Sequence, residues 1–428
     1  MWLLNKLDAS RVAPVEFSYA TGLAVQTKVL ALQTRNAEVL QIPKSRLCSE
    51  MMIQVMRYVR CLQLALIVTL TLCRSASADE ETPSLLAPNG IVPLPDGSLL
   101  VSDLETHRIL HLDPLGKLKF WGGTGQANYS GDGGHVAQAT FNAPNDLKLD
   151  VANNAVLIAD SNNHRIRKVD LRTLTITTIA GNGSSELSGD DGPAIKSSLN
   201  NPQGIAIDRI GNVLVADTYN HVIRRIGVDG MITTVAGSEA GLSGDRGRAT
   251  AAQLSLPMAV AFDSDERGFY VSDFGNSRIR RVSADGKIET VCGIGKGSDD
   301  AGAGFSGDGD LATKAKIFSV LDLAVFSPNF FYISDSGNHR IRCVVHGVIV
   351  SVAGSGPPSG SSQPPANSAR SDSGRSDSVQ PLSVPAKMAI APENGLYFCD
   401  RGNRTIRLLK KDGKIETLTS QVKKEEAK

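Results

Sequence analysis

Ala159-Asp160-Ser161-Asn162-Asn163-His164-Arg165-Ile166-Arg167 is one copy of a phrase that occurs six times in this chain. Two other copies are as clear: Ala216-Asp217 leading to Asn220-His221-Val222-Ile223-Arg224, and Ser334-Asp335-Ser336-Gly337-Asn338-His339-Arg340-Ile341-Arg342. Weaker copies start at Asp103 (with His107-Arg108-Ile109), Asp273 (Asn276-Ser277-Arg278-Ile279-Arg280) and Asp400 (Asn403-Arg404-Thr405-Ile406-Arg407). The six aspartates follow one another at 57, 57, 56, 62 and 65 residues. Self-similarity at a near-constant period is the mark of a repeat architecture. A feature found in every unit is structural by default, so chemistry is sought where the units differ.

Each unit reads as four short strands. In the third they are Gly204–Asp208 (a), Val213–Ala216 (b), Val222–Ile226 (c) and Met231–Ala236 (d). Turn residues separate them at Gly211-Asn212, Thr218–Asn220 and Asp229-Gly230. Asp-Gly between apolar runs is a strong hairpin signal, and it recurs at Asp285-Gly286 and Asp412-Gly413. Strands a and b are nearly continuous apolar runs, which implies burial on both faces. Sheets stacked around an axis meet that requirement and leave only short edges. The pattern predicts an all-β, six-bladed β-propeller of four-stranded blades over residues 83–422, with long loops on one face. The blades run from about 90–143, 144–201, 202–257, 258–320, 321–385 and 386–422.

The stretch Pro202–Arg224, Pro-x-Gly-Ile-Ala-Ile-Asp followed by Val-Ala-Asp-Thr-Tyr-Asn-His-x-Ile-Arg, resembles the NHL repeat. The resemblance extends over about four-fifths of the chain and implies the propeller fold. It is weak for function, because NHL propellers include scaffolds, RNA binders and ligand receptors, and related six-bladed propellers include lyases and lactonases.

The N-terminal region carries a second pattern. Arg57 and Arg60 precede an apolar run from Cys61 to Cys73, and Ser75-Ala76-Ser77-Ala78 then offers a cut before Asp79. A basic flank, a short apolar core and a small-x-small exit are the layout of a signal peptide. The run is short for a membrane span. Residues 51–78 thus read as a signal peptide, with an uncleaved signal anchor over 61–73 as the alternative. Residues 1–50 read as an extension of uncertain status, since Met51, Met52 and Met56 each offer a start that gives the signal its usual place. The expected location is secreted or the lumen of the endomembrane system.

A net charge of +1 gives no global attraction to nucleic acid or acidic membranes. It argues against DNA and RNA as partners; the expected ligand is a protein or a glycan, and the expected state a monomer. After the proposed cut, Cys292, Cys343 and Cys399 remain in three different blades. An odd, dispersed set is no disulfide framework, and buried free thiols are expected. Sequons at Asn128, Asn182 and Asn403 are glycosylation candidates in an exported chain.

The second arginine of the phrase (Arg167, Arg224, Arg280, Arg342, Arg407) recurs in five blades. Its recurrence assigns it an acid or carbonyl within or between blades, in preference to an anion-binding surface. His107, His164, His221 and His339 are symmetry-related turn residues, so a shared metal role is not expected of them. Ser-Gly-Asp recurs after strand d at Ser130–Asp132, Ser188–Asp190, Ser243–Asp245 and Ser306–Asp308, in long d–a connections. Each copy offers one carboxylate, too few oxygens for calcium, and reads as a turn with a cap. The d–a loops and b–c turns leave a blade on the same face, so both loop types are expected to build one elaborated face around the channel mouth.

The blades differ most at the start of strand a, the innermost strand. Where blades one and three have Gly90 and Gly204, blade two has Asn145-Asp146, blade five Asp322 and blade six Lys387-Met388. Blades two and five face each other across a six-fold ring. Asp146 and Asp322, with Asn89, Asn145 or Gln203, form a candidate site for a divalent cation, Ca or Zn, at the channel mouth. The lactonase-like relatives hold a metal with Asn, Asp and Glu, and the alternative function is therefore a metal-dependent hydrolase or lyase. RNA binding is a second alternative, opposed by the neutral charge and the signal-like segment. The sequence shows no nucleophile elbow and no Cys–His pair, and a non-catalytic binding or scaffold propeller is the leading reading. The Ser/Pro/Gly-rich stretch 356–381 reads as a disordered loop in blade five, and 423–428 as a charged, solvated tail.

Overall fold

The computed structural model of the chain describes residues 83–295, 304–356 and 381–419. The extension 1–50, the export segment 51–78, nearly all of 356–381 and the tail 423–428 lie outside the described residues.

Six antiparallel sheets form the six blades of the propeller, each with four strands in simple chain order, and the two-residue strand Gly192–Pro193 adds a fifth to the outer edge of blade three. Blade one comprises Pro88–Pro93, Leu99–Asp103, Arg108–Leu112 and Leu118–Gly122. Blade two comprises Pro144–Asp150, Ala155–Asp160, Arg165–Asp170 and Ile176–Ala180. In blade three the strands are Pro202–Ile207, Val213–Asp217, Val222–Ile226 and Met231–Ala236. Blade four has Pro257–Phe262, Phe269–Asp273, Arg278–Val282 and Ile288–Cys292. Blade five has Val320–Ser327, Phe330–Asp335, Arg340–Val345 and Val348–Ala353, and blade six Pro385–Ile390, Leu396–Asp400, Thr405–Leu409 and Ile415–Thr417. The helical content among the described residues is single turns of 3-10 helix.

Six apolar clusters hold the sheets together, and each spans two neighbouring blades. Ala216, Ile223 and Leu214 of blade three meet Val260 and Val271 of blade four, and the same exchange repeats around the ring. Strand b is buried from end to end in blades one to four, which explains its unbroken apolar run. Among the described residues the ring closes without an exchanged strand. Leu85, Ile91, Val101 and Leu110 of the first blade pack on Ala386, Cys399 and Ile406 of the sixth. Residues 84–87 add no strand, since blade one begins at Pro88.

Strand a carries a bulge after its first residue in every blade. The bulge brings the third residue of the strand against the backbone of the next blade. A Cβ on Gly90 would lie 2.4 Å from the Asn145 carbonyl oxygen, and one on Gly204 would lie 2.7 Å from that of Met258. Glycine is required where the neighbour is this close. Asp146, Asp322 and Lys387 occupy the same strand position in their blades, and each departure from glycine changes what lies in the channel.

Candidate functional site

The repeated phrase builds the joint between blades. Its aspartate ends strand b, a 3-10 turn follows, and the next residue takes a left-handed conformation: His164 (φ 55), His221 (60), Ser277 (49), His339 (54) and Arg404 (55). The turn's Asn then donates to the aspartate, as Asn220 does to Asp217 at 2.8 Å. The histidine reaches forward. Nδ1 of His107, His164, His221 and His339 accepts the backbone N–H of Ala143, Asn201, Leu256 and Val384, each just before strand a of the next blade. The histidines are thus inter-blade acceptors. The sequence placed them in the turn but gave no sign of this bond.

The arginines are fully buried, and their partners are those the recurrence implied. Arg224 bonds Asp217 within its own blade and Asp190 at 2.8 Å in the preceding d–a connection, together with the carbonyls of Ser188 and Ser198. Arg167 does the same with Asp160 and Asp132, Arg280 with Asp273 and Asp245, and Arg342 with Asp335 and Asp308. The Ser-Gly-Asp motif is therefore a latch. Its connection lies along the outer strand of the following blade, where Gly192-Pro193 pairs with Met231-Ile232, and its carboxylate closes on that blade's arginine. The carboxylates are satisfied by protein donors, and the motifs sit at the outer strands and not at the channel mouth.

The channel holds a different set of charges. Lys387 crosses from blade six, donates to the Met258 carbonyl of blade four at 3.1 Å, and lies 3.7 Å from Asp146 and 3.6 Å from Asp322. Lys148 pairs with Asp146 at 2.9 Å. Asp146 also accepts the Ile205 N–H of blade three, and Asp322 the Met388 N–H of blade six. The two expected carboxylates are thus brought together, and an ammonium group stands between them. Burial acts to raise both carboxyls. Lys148 and Lys387 nevertheless hold Asp146 below its ordinary value, while Asp322, with weaker compensation, stays above it. Two acids and two lysines sum to zero. A divalent cation at this place would have to displace Lys387. Metal content of the purified protein checks the point: the expected result is no tightly held ion, and one ion per chain lost in Asp146→Asn/Asp322→Asn would show that the lysine gives way.

Asn89, the third candidate ligand, belongs to a separate network on the mouth. Arg401 donates to Asn89 at 3.1 Å, Asn89 to Asn145 at 2.7 Å, and Asn145 to Gln203 at 3.1 Å. Gln203 then donates to Asn201 and Asn201 to Asn162, both at 2.7 Å. This one-way amide arc covers blades one to three. At the equivalent second position of strand a, blades four, five and six carry Met258, Leu321 and Ala386. Phe274 and Phe318 extend the apolar side, and Met258, Phe274, Phe318 and Leu321 are all half-buried. The mouth is amide on one half and apolar on the other.

A sequence profile of the NHL repeat matches residues 141–169, and one of the teneurin NHL domain matches residues 179–244. The chain thus carries NHL-type repeats within a six-bladed propeller. Mouse teneurin-1 is 25% identical to it over 367 residues, which is 79% of this chain and 13% of the teneurin. The bovine NHL repeat-containing protein 2 is 26% identical over 380 residues, 80% of this chain and 49% of that protein. The NHL propeller thus spans less than half the length of either curated relative. An auxiliary nutrient binding protein from Bacteroides thetaiotaomicron superposes with a TM-score of 0.51 at 14% identity, over 78% of this chain and 70% of that one, a likeness of fold.

The three sequons of the NHL propeller differ in what the acceptor nitrogen does. In Asn403 it donates to Pro381 and Asp400, and in Asn182 to Lys196 and Ser198. Asn128 is exposed and uses its side-chain oxygen to accept the Tyr129 N–H. Cys292, Cys343 and Cys399 are buried free thiols, and burial raises all three, Cys292 to about 12.

The histidine bonds make stability depend on pH. Burial lowers His164, His221 and His339 below the ordinary 6.5. The unfolded chain therefore binds protons more readily, and the contribution is complete above pH 6.5 and lost as pH falls through the folded values. Burial raises Asp160, Asp217, Asp273 and Asp335 to about 6, which works in the opposite sense between pH 3.8 and 6. A comparison cancels the aspartates. Between pH 7.5 and 5.5 the melting temperature of the unaltered protein is expected to fall further than that of a His164→Asn/His221→Asn/His339→Asn variant. Equal falls would remove the histidines as the cause.

Proposed function

We propose that this chain is a non-catalytic binding propeller of the secretory route that recognises a protein or a glycan through the face bearing the b–c turns. The carrying observation is the divided mouth. Hydrogen-bonding amides and an arginine adjoin apolar side chains there, which is the composition of a recognition surface. The carboxylates that would serve acid–base or metal chemistry are instead neutralised by Lys387 and Lys148. The matches to NHL proteins support the binding class, and the residue pattern of 51–78 supports export.

Two measurements test this reading. Partner capture with the full chain, beside a Gln203→Ala/Met258→Asp variant of unchanged melting temperature, should recover a ligand that the variant loses. A ligand retained equally by the variant would move recognition away from the mouth. Expression with a C-terminal tag should yield medium-borne protein starting at Asp79 and shifted by N-glycosidase through one glycan, on Asn128. Unglycosylated protein in the cytosol would end the export reading.

A further inference from the structure

Arg401 departs from a repeated joint. In blades two, three and five the first residue of the b–c turn is Ser161, Thr218 or Ser336, whose hydroxyl donates to the carbonyl of Pro202, Pro257 or Pro385 in the next blade. In blade six that residue is Arg401. The joint there gives up a hydroxyl staple for a half-buried guanidinium on the mouth. One of its nitrogens donates to Asn89, and no carboxylate pairs with it among the described residues. Burial pulls the guanidinium below its ordinary range, with only Cys399 acting against this. The channel cluster beneath is already neutral in sum. A desolvated cation without a counter-ion is costly to keep. This one is positioned where a ligand would supply the missing charge.

The amide arc adds to the imbalance. The side-chain nitrogens of Asn145 and Gln203 each make one hydrogen bond, leaving one N–H apiece without an acceptor among the described residues. Arg401 has five N–H donors and no acceptor. The polar half of the mouth therefore holds donors in excess. Its complement is a group rich in acceptor oxygen and negative in charge. Beside it, Leu321 and Phe318 of blade five, then Met258 and Phe274 of blade four, offer a surface with nothing to bond a hydroxyl. A sugar, which donates as readily as it accepts, matches neither half as well as a carboxylate attached to an apolar side chain.

We propose that the mouth binds the C-terminal carboxylate of a peptide ending in an apolar residue, with the carboxylate on Arg401 and the apolar side chain on Leu321 and Met258. The main-chain carbonyl preceding the terminus takes the spare N–H groups of Asn145 and Gln203. This rests on the reading of the face as a recognition surface and chooses a protein as its ligand.

The test uses the full chain and three probes measured by calorimetry: acetyl-Ser-Ala-Leu with a free terminus, the same peptide amidated, and sodium glucuronate. The free acid is expected to bind at least about tenfold more tightly than the amide, the size of one charged hydrogen-bonded contact. In Arg401→Gln, with its melting temperature checked, acid and amide should bind alike. Leu321→Asn should weaken both equally. Equal binding of acid and amide by the unaltered protein, a comparison that requires no variant, would overturn the proposal. So would failure of the acid to bind at millimolar concentration. Glucuronate binding that depends on Arg401, without peptide binding, would replace the peptide by an acidic glycan and leave the recognition surface standing. Loss of every probe together with failed partner capture would end both readings.

Discussion

Arg224→Met is expected to cost about 3–5 kcal/mol of stability, the range for removing one partner of a buried ion pair. The arginine is fully buried and bonds two carboxylates and two carbonyls at once. Methionine fills much of the volume and leaves Asp217, itself fully buried, with only the Asn220 and Asn200 donors. It also frees the Ser-Gly-Asp latch at Asp190. Arg225, next in the strand but exposed, serves as control, and Arg225→Ala should stay within about 0.5 kcal/mol. Urea unfolding of the two variants decides the matter. Equal small losses would mean that the joint is held by its apolar contacts and that the arginines are dispensable.

The second large effect is expected in the channel. Lys387→Met removes the ammonium shared by Asp146 and Asp322 and should destabilise the protein by about 3–5 kcal/mol. Asp322 is the more exposed to the loss, because Asp146 keeps Lys148. The double variant Lys387→Met/Asp322→Asn should recover a good part of the cost, since the uncompensated charge goes with its partner. A double variant no more stable than the single would show that lysine packing, not charge, is what the channel needs.

The fold was open to reading because it is repetitive. A phrase such as Asp335–Arg342 reports the end of strand b, a turn and the start of strand c, and six copies at a near-constant period leave little choice of architecture. The role of the buried arginines was open for the same reason. Other features were not. Asp146 and Asp322 were placed together by six-fold symmetry, yet Lys387, which stands between them, was visible only as another non-glycine residue at that position. A lysine's reach spans several residues, and one-dimensional spacing does not tell where its ammonium ends. Asn89 was assigned to the carboxylates although its side chain turns along the rim to Asn145. The Ser-Gly-Asp loops drew attention as potential elaborations of the mouth, because sequence does not distinguish a loop that crosses the face from one that lies along an outer strand. Arg401 carries no such signal, since the copy at Asp400 is recognisable only by the residues it shares with the others.

The latches all point one way round the ring, from each connection to the blade that follows. The series has a beginning. Blade one has Leu110 where the others have arginine, so no latch closes on it. Blade one is therefore the hinge-side panel of an otherwise bolted drum. It should breathe first, and amide exchange should run faster in Leu99–Asp103 than in the matching strands of blades two to five. Arg401 lies at that seam and reaches across it to Asn89, so a ligand seated there would slow the opening of the whole ring.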